Sequence, residues 1–443
     1  MPLVIVGIGI LILLILITVF KLNAFISLLI TSFFVAILNR MGINEAVDSI
    51  LRGLGDTLGS IILILIFGAM LGKLLEESGA ALTITNKLTE IFGIKYIQYA
   101  IVVTGFLVGL PMIYSASFLV LIPLIYTLSK TAKLPLLYLG IPLSASLSVS
   151  HAFLPPHPAP VAVSIIYGAD VNLALVYGLI PCIPAILISG LLYSKCFRKL
   201  EVSPPDNIYL HKEIPSDRLP SLPASLLTAL SPVILMLLGV LLTFAIGDKE
   251  GDKWITIAKF ISNPNVALFI SVIIGLYTLG VHQGRKIPDL MKSLEKSVAG
   301  ISMVILVIGS GGALKEVLFD SGVAEYIKVI IIDLQLNPIL LSWVVAALLR
   351  VAIGSATVAT ITAAGIMLPI IAVTGVRPEL MVLATCSGST MFSHVNDVGF
   401  WMFKEFYNVS IKQTFQIWTV MYCIVGIIGL VTVLIIDYFQ SSF

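Results

Sequence analysis

The sequence predicts an all-α polytopic membrane protein made of two inverted repeats, with broken transmembrane helices and re-entrant helical hairpins. Three observations carry that prediction. Of 443 residues, 58% are hydrophobic and only 11% are charged. Soluble proteins carry about 25% charged residues, so a soluble monomer of this composition would lack a polar coat. The mean hydropathy is +1.08, and apolar runs recur near the roughly 20 residues of one helical crossing, leaving room for about ten or more crossings. Several of these runs are interrupted by Gly, Pro or clustered Ser and Thr. Lipid-facing spans have no need of such residues, whereas broken helices buried within protein do.

The elements follow in order. Leu3 to Phe20 has no preceding Lys or Arg and leads straight into a second apolar run, Leu22 to Leu38. The first run therefore reads as a transmembrane helix and not as a cleaved signal. Further spans are expected near 57–75, 97–128, 134–150, 171–195, 224–246, 264–281, 297–318, 323–334, 338–374, 377–392 and 412–437. The 97–128 run contains Gly105, Gly109 and Pro111, and the 338–374 run contains Arg350, Gly354 and a Ser/Thr cluster. Arg198 to Pro223 is rich in charge and proline, and it divides the chain into a first half (1–197), a linker (198–223) and a second half (224–443). The net charge of +2 gives no footprint for nucleic acid. Cys182, Cys196, Cys386 and Cys423 lack any C-x-x-C spacing and read as small apolar residues, with neither a disulfide frame nor a metal site implied.

The halves share motifs in a common order. LLEESGAA (74–81) matches VLFDSGVA (317–324), and Ser150-His151 matches Ser393-His394 at the same offset. Between them, the run from Gly109 to Ser117 faces the run from Gly354 to Thr362. The duplicated acid-Ser-Gly, at Glu77-Ser78-Gly79 and Asp320-Ser321-Gly322, reads as a helix end with Gly at the turn. Lys and Arg concentrate in 195–222 and 282–296, which places those segments in the cytoplasm. Segments 39–56 and 248–263 are charge-balanced and fall outside. An odd number of crossings per half then inverts the repeats and leaves both termini outside. Inverted repeats with interrupted helices are secondary-transporter architecture.

Two segments read as re-entrant hairpins, 135–166 and 379–406. The first breaks around His151, Pro155, Pro156, His157 and Pro158; the second breaks at Ser393, His394, Val395, Asn396 and Asp397. Backbone groups freed at such breaks survive in a membrane only where they line a cavity or bind something. Half-helix N-termini there present partial positive charge to an anion. The candidate substrate-binding residues are His151, Pro156 and His157 at one tip, His394, Asn396 and Asp397 at the other, and Arg350 with Ser355 and Thr357 at the helix break. A guanidinium holds a carboxylate bidentately, and it serves equally in an internal ion pair. Asp397 also stands where it would N-cap a helix starting at Val398. His151, His394 and Asp397 are the proton-coupling candidates. Lys73, Glu76, Glu77, Lys315, Glu316 and Asp320 read as interface or linker-face residues. No G-x-x-x-x-G-K-[ST], H-E-x-x-H or serine elbow occurs, so ATP hydrolysis and the common hydrolytic chemistries have no motif here.

The stretches HAFLPPHPAP (151–160), GSGGALKEVLFDSG (309–322), LRVAIGSATVATITAAGIMLP (349–369) and SHVNDVGFWMFKEF (393–406) resemble the gluconate permease family of bacterial inner membranes, over nearly the whole chain. The resemblance implies proton-coupled uptake of gluconate or a related sugar acid, with no cofactor beyond the coupling proton. The alternative within the class is a symporter for D-serine or another small hydroxylated carboxylate. Similarity to the wider ion transporter superfamily implies an elevator-type transport domain and a homodimer in the bacterial inner membrane. Members that take gluconate often carry an acidic residue where Tyr114 and Ser115 stand here. With Met112 to Ser117 neutral, proton coupling falls to His151, His394 or Asp397.

Overall fold

The computed structural model describes residues 2–204, 219–246, 253–321, 337–395 and 397–441. The expected span 323–334, most of the linker and Asn396 lie outside these residues. Every described secondary-structure element is helical. Among the described residues, eight helices are long and apolar enough to cross a membrane, or nine if a bent pair counts as one span. This is fewer than the composition allows, because α2 (Ala24–Leu38) and both arms of the broken second-half helix are shorter than a full crossing.

α1 (Pro2–Thr18) and α2 lead into α3 (Ile43–Ser78), 36 residues long. At about 1.5 Å per residue α3 runs roughly 54 Å, longer than the bilayer core. The charge-balanced segment 39–56 is thus mostly helix. Glu45, Asp48, Arg52 and Asp56 recur at helical spacing, and one stripe of charge suits a helix face. α3 ends on Gly79 at φ +79°, with the Gly79 N–H bonded to the Glu76 carbonyl, as the acid-Ser-Gly motif predicts. α4 (Ala80–Phe92) turns through 108° into α5 (Ile97–Gly109).

α3 crosses α14 (Ser302–Asp320) with almost no space between backbones. A Cβ on Gly53 would lie 2.4 Å from the Gly312 carbonyl oxygen, and one on Gly312 would lie 2.1 Å from Thr57 Oγ1. Small residues at helix crossings supply the packing that hydrophobicity cannot supply between helices in lipid. Charged pairs flank this crossing. Arg52 meets Asp320 at 2.6 Å and Glu316 at 3.8 Å, and at the far end of α3 Arg285 meets Glu77 at 2.5 Å.

From α5 onward the first half runs α5, break, α6 (Tyr114–Ala132), then α7 (Leu136–Phe153) and α8 (Pro158–Tyr167), which together form one apolar stretch interrupted between Phe153 and Pro158, then α9 (Val171–Ile186). The second half opens with α10 (Leu222–Ile246), α11 (Lys253–Ser262), α12 (Pro264–Gly275) and α13 (Ile287–Gly300), followed by α14. It then continues with α15 (Pro338–Ile353), which packs against α16 (Ala356–Thr374) across the Gly354 break, then α17 (Pro378–Gly388), a second break, α18 (Val398–Phe406) and a closing helix α19 (Val420–Ser441). Every residue of α7 from Leu139 to Ser150 is buried, as is every residue of α17 from Glu379 onward. Ser146, Ser148 and Ser150 return their hydroxyls to backbone carbonyls one turn back. α7 and α17 are therefore enclosed in protein, where interruptions of the backbone are tolerated, whereas Phe392, Val395, Val398 and Trp401 beyond α17 are exposed. Leu136–Tyr167 forms one apolar stretch of 32 residues, so the segment expected as a re-entrant hairpin over 135–166 is here an interrupted span.

Candidate functional site

Three helices begin at one place. α6 starts after the Gly109–Pro111 break, with Ile113 at its N-cap. α16 starts after Gly354, whose φ of +82° ends α15, and Ser355 caps it by accepting from the Val358 N–H at 3.4 Å. α18 starts after the break that follows α17, and the Asp397 carboxylate caps it by accepting from the Gly399 N–H at 2.9 Å. The cap and first residues of all three (Ile113, Tyr114, Ser115; Ser355, Ala356, Thr357; Asp397, Val398, Gly399) line a single cavity of about 300 Å³. Each helix N-terminus carries about half a positive charge and unpaired N–H groups, so the cavity is built to attract an anion.

Arg350 lies on the same wall, in the last turn of α15, and is 1% exposed. It donates to the Gly354 carbonyl and to the Asp397 carboxylate, while its Nε–H has no partner among the described residues. A guanidinium at membrane depth costs about 2.5–3.5 kcal/mol on insertion scales, and pairing with Asp397 offsets part of that cost. Asp397 thus takes both roles open to it, capping α18 and pairing with Arg350. A relay of polar contacts holds it in place: Ser393 donates to Asp397, and the Trp418 indole N–H donates to Ser393 Oγ at 2.7 Å.

Of the residues predicted from sequence, the cavity gathers His151, Arg350, Ser355, Thr357 and Asp397. Pro156 and His157 line a separate, smaller cavity of about 30 Å³, bounded by α3, α14 and Pro111, with Ile113 common to both. His151 and His157, on either side of the interruption between α7 and α8, still touch, their Nδ1 atoms 3.1 Å apart, so His157 stands behind His151. His394 does not line the cavity; its Nε2 lies 3.1 Å from the Val351 carbonyl and ties the second tip to α15. Asn396 lies outside the described residues. Tyr114, Met402 and Tyr422 also line the cavity. For Tyr114 a signal was present in the sequence: it follows the Gly109–Pro111 break as Thr357 follows the Gly354 break.

A sequence profile described as GntP family permease matches residues 1–439. A high-affinity gluconate transporter of Escherichia coli K12 is 43% identical over 99% of both chains. An L-idonate transporter of the same organism is 44% identical over 99% of both, and a gluconate permease of Bacillus subtilis is 40% identical over 99% of both. Among solved structures, the fold is similar to the YdaH transporter of Alcanivorax borkumensis (TM-score 0.64, 18% identity, 88% of each chain). It is also similar to MtrF of Neisseria gonorrhoeae (TM-score 0.63, 14% identity, 89% of this chain and 85% of that one).

Proposed function

The chain belongs to the GntP permease family, and from that premise we propose that it takes up gluconate or a closely related sugar acid together with protons. The observation that carries this reading is the cavity in which three helix N-termini and the buried Arg350 converge. Arg350 holds the substrate carboxylate, and Ser355 and Thr357 present hydroxyls to the polyol. Charge balance supplies a reason for proton coupling. With Arg350 cationic and Asp397 anionic the empty site is neutral; a bound sugar acid adds one negative charge in a region of low dielectric. One proton taken up at Asp397, His151 or His394 restores neutrality, and a neutral loaded site crosses the membrane at lower electrostatic cost.

In this reading the halves are inverted, because the shared order of interrupted segments combines with an odd number of crossings per half. The linker is cytoplasmic and both termini are outside. The interrupted segments of both halves move together as an elevator against a scaffold centred on α3 and α14, in a homodimer of the bacterial inner membrane.

Uptake into proteoliposomes tests the proposal. Labelled gluconate should accumulate under an inward proton gradient, and a protonophore should abolish accumulation. Competition by gluconate, idonate and D-serine ranks the substrates. Uptake indifferent to the gradient would remove proton coupling. Inhibition by D-serine alone would move the substrate to the small hydroxylated carboxylates.

A further inference from the structure

The cavity wall holds a second buried polar group that the proposed function has not used. Tyr114 is 8% exposed and its hydroxyl makes no hydrogen bond among the described residues. Ser144 is near it without reaching hydrogen-bonding geometry. The neighbouring tyrosines of this region are satisfied: the Tyr422 hydroxyl is hydrogen-bonded to Ser148 Oγ at 2.9 Å, and Tyr407 donates to the Gly140 carbonyl at 3.0 Å. The Tyr114 ring is held firmly, stacked on Phe118 at 5.7 Å and edge-on to Trp418 at 5.6 Å. A buried, rigidly held hydroxyl without a partner costs free energy unless something supplies one. Among the described residues that line this cavity, Nε of Arg350 is likewise buried without a partner. The two come from the two helix breaks, one in each half of the chain.

Resting on the sugar-acid reading above, we infer that Tyr114 is a specificity-determining residue, whose hydroxyl bonds one hydroxyl of the substrate's polyol chain while Arg350 holds the carboxylate. Two fixed polar points on one cavity select for an acid with a hydroxyl at a set distance from its carboxylate. A site built to bond a hydroxyl rejects the analogue that lacks it, because the site's own group is then left unpaired. The neutral Tyr114-Ser115 pair therefore sets which sugar acid is taken.

The test pairs one hydroxyl removed from the protein with one removed from the substrate. Competition constants are measured for gluconate and for each monodeoxygluconate against labelled gluconate uptake, in wild type and in Tyr114→Phe. Tyr114→Phe should weaken gluconate roughly threefold to tenfold, the worth of one hydrogen bond. One deoxy analogue should be weakened by a similar factor in wild type but lose nothing more in Tyr114→Phe, because the two deletions remove the same bond. If gluconate binds Tyr114→Phe as it binds wild type, or if every deoxy analogue loses the same factor in both proteins, the assignment is wrong. Thermal stabilisation of purified protein by gluconate gives the same comparison without transport, so a variant impaired in movement is still scored. Failure of wild type to take up any sugar acid would instead overturn the underlying function.

Discussion

Replacing Arg350 by Met separates its place in the fold from its place in the site. Methionine keeps the unbranched stem and removes the charge. In the wild type the guanidinium is 1% exposed and the Asp397 side chain 17% exposed, so the pair is effectively buried. Removing one partner of such a pair strands the other charge and costs about 3–5 kcal/mol. Asp397 keeps its bonds from Ser393 and the Gly399 N–H, which puts the expected loss near the lower end, about 3 kcal/mol. The double variant Arg350→Met with Asp397→Asn removes both charges and keeps a residue that caps α18 as well as Asp does. Its stability should return to within about 1 kcal/mol of wild type. Transport should not follow it back. Losing charge-assisted bonds to the substrate carboxylate costs about 1.5–3 kcal/mol, roughly tenfold to 150-fold in apparent affinity. Thermal unfolding in detergent and proteoliposome uptake, measured on all three proteins, give the two readouts. Wild-type uptake by Arg350→Met, or recovery of uptake together with stability in the double variant, would refute a substrate role and leave the pair structural.

Thr357→Val removes a cavity hydroxyl while keeping the shape, and should raise KM for gluconate about threefold to tenfold with the unfolding temperature unchanged; an unchanged KM takes Thr357 out of the site. Gly312→Ala drives a methyl to 2.1 Å from Thr57 Oγ1 at the α3–α14 crossing and should cost about 1–3 kcal/mol of stability. Gly55→Ala, with nothing within 4 Å of the added Cβ, should be neutral or stabilising by up to about 1 kcal/mol; equal unfolding temperatures for the pair would show that the crossing tolerates separation. Cys196 is exposed just before the linker, whereas Cys182 and Cys386 are buried. In a Cys423→Ser background a membrane-impermeant maleimide should label inverted vesicles and not intact cells, and the opposite pattern reverses the orientation.

Much of the fold was legible because the bilayer acts locally. Apolar run length, a Gly or Pro at a break and a charge-rich linker each read directly as span, interruption and boundary. α3 escaped that reading at its N-terminal end, where the charges of Glu45, Asp48, Arg52 and Asp56 hid a helix that continues past the bilayer core. The site was legible in part. Arg350, Ser355, Thr357 and Asp397 stand at breaks, and breaks mark cavities. His151 and His394 occupy equivalent positions in sequence yet part in three dimensions, one facing the cavity and the other tied to the Val351 carbonyl.

By itself the sequence determined that this is a membrane protein with two similarly ordered halves, interrupted at four places where scarce charge and hydroxyls collect. Tertiary structure alone decided which of those groups share a cavity: that Asp397 answers Arg350, that Tyr114 joins them, and that Pro156 and His157 face elsewhere. The physical reason lies in the buried helices. Apart from His151 and Glu379 at their ends, α7 and α17 carry apolar and small side chains on every face, so no amphipathic stripe says which face turns inward. That choice is made by close contacts such as Gly53 with Gly312 and by polar links such as Trp418 to Ser393 to Asp397. Each of them joins residues far apart in the chain or on different elements.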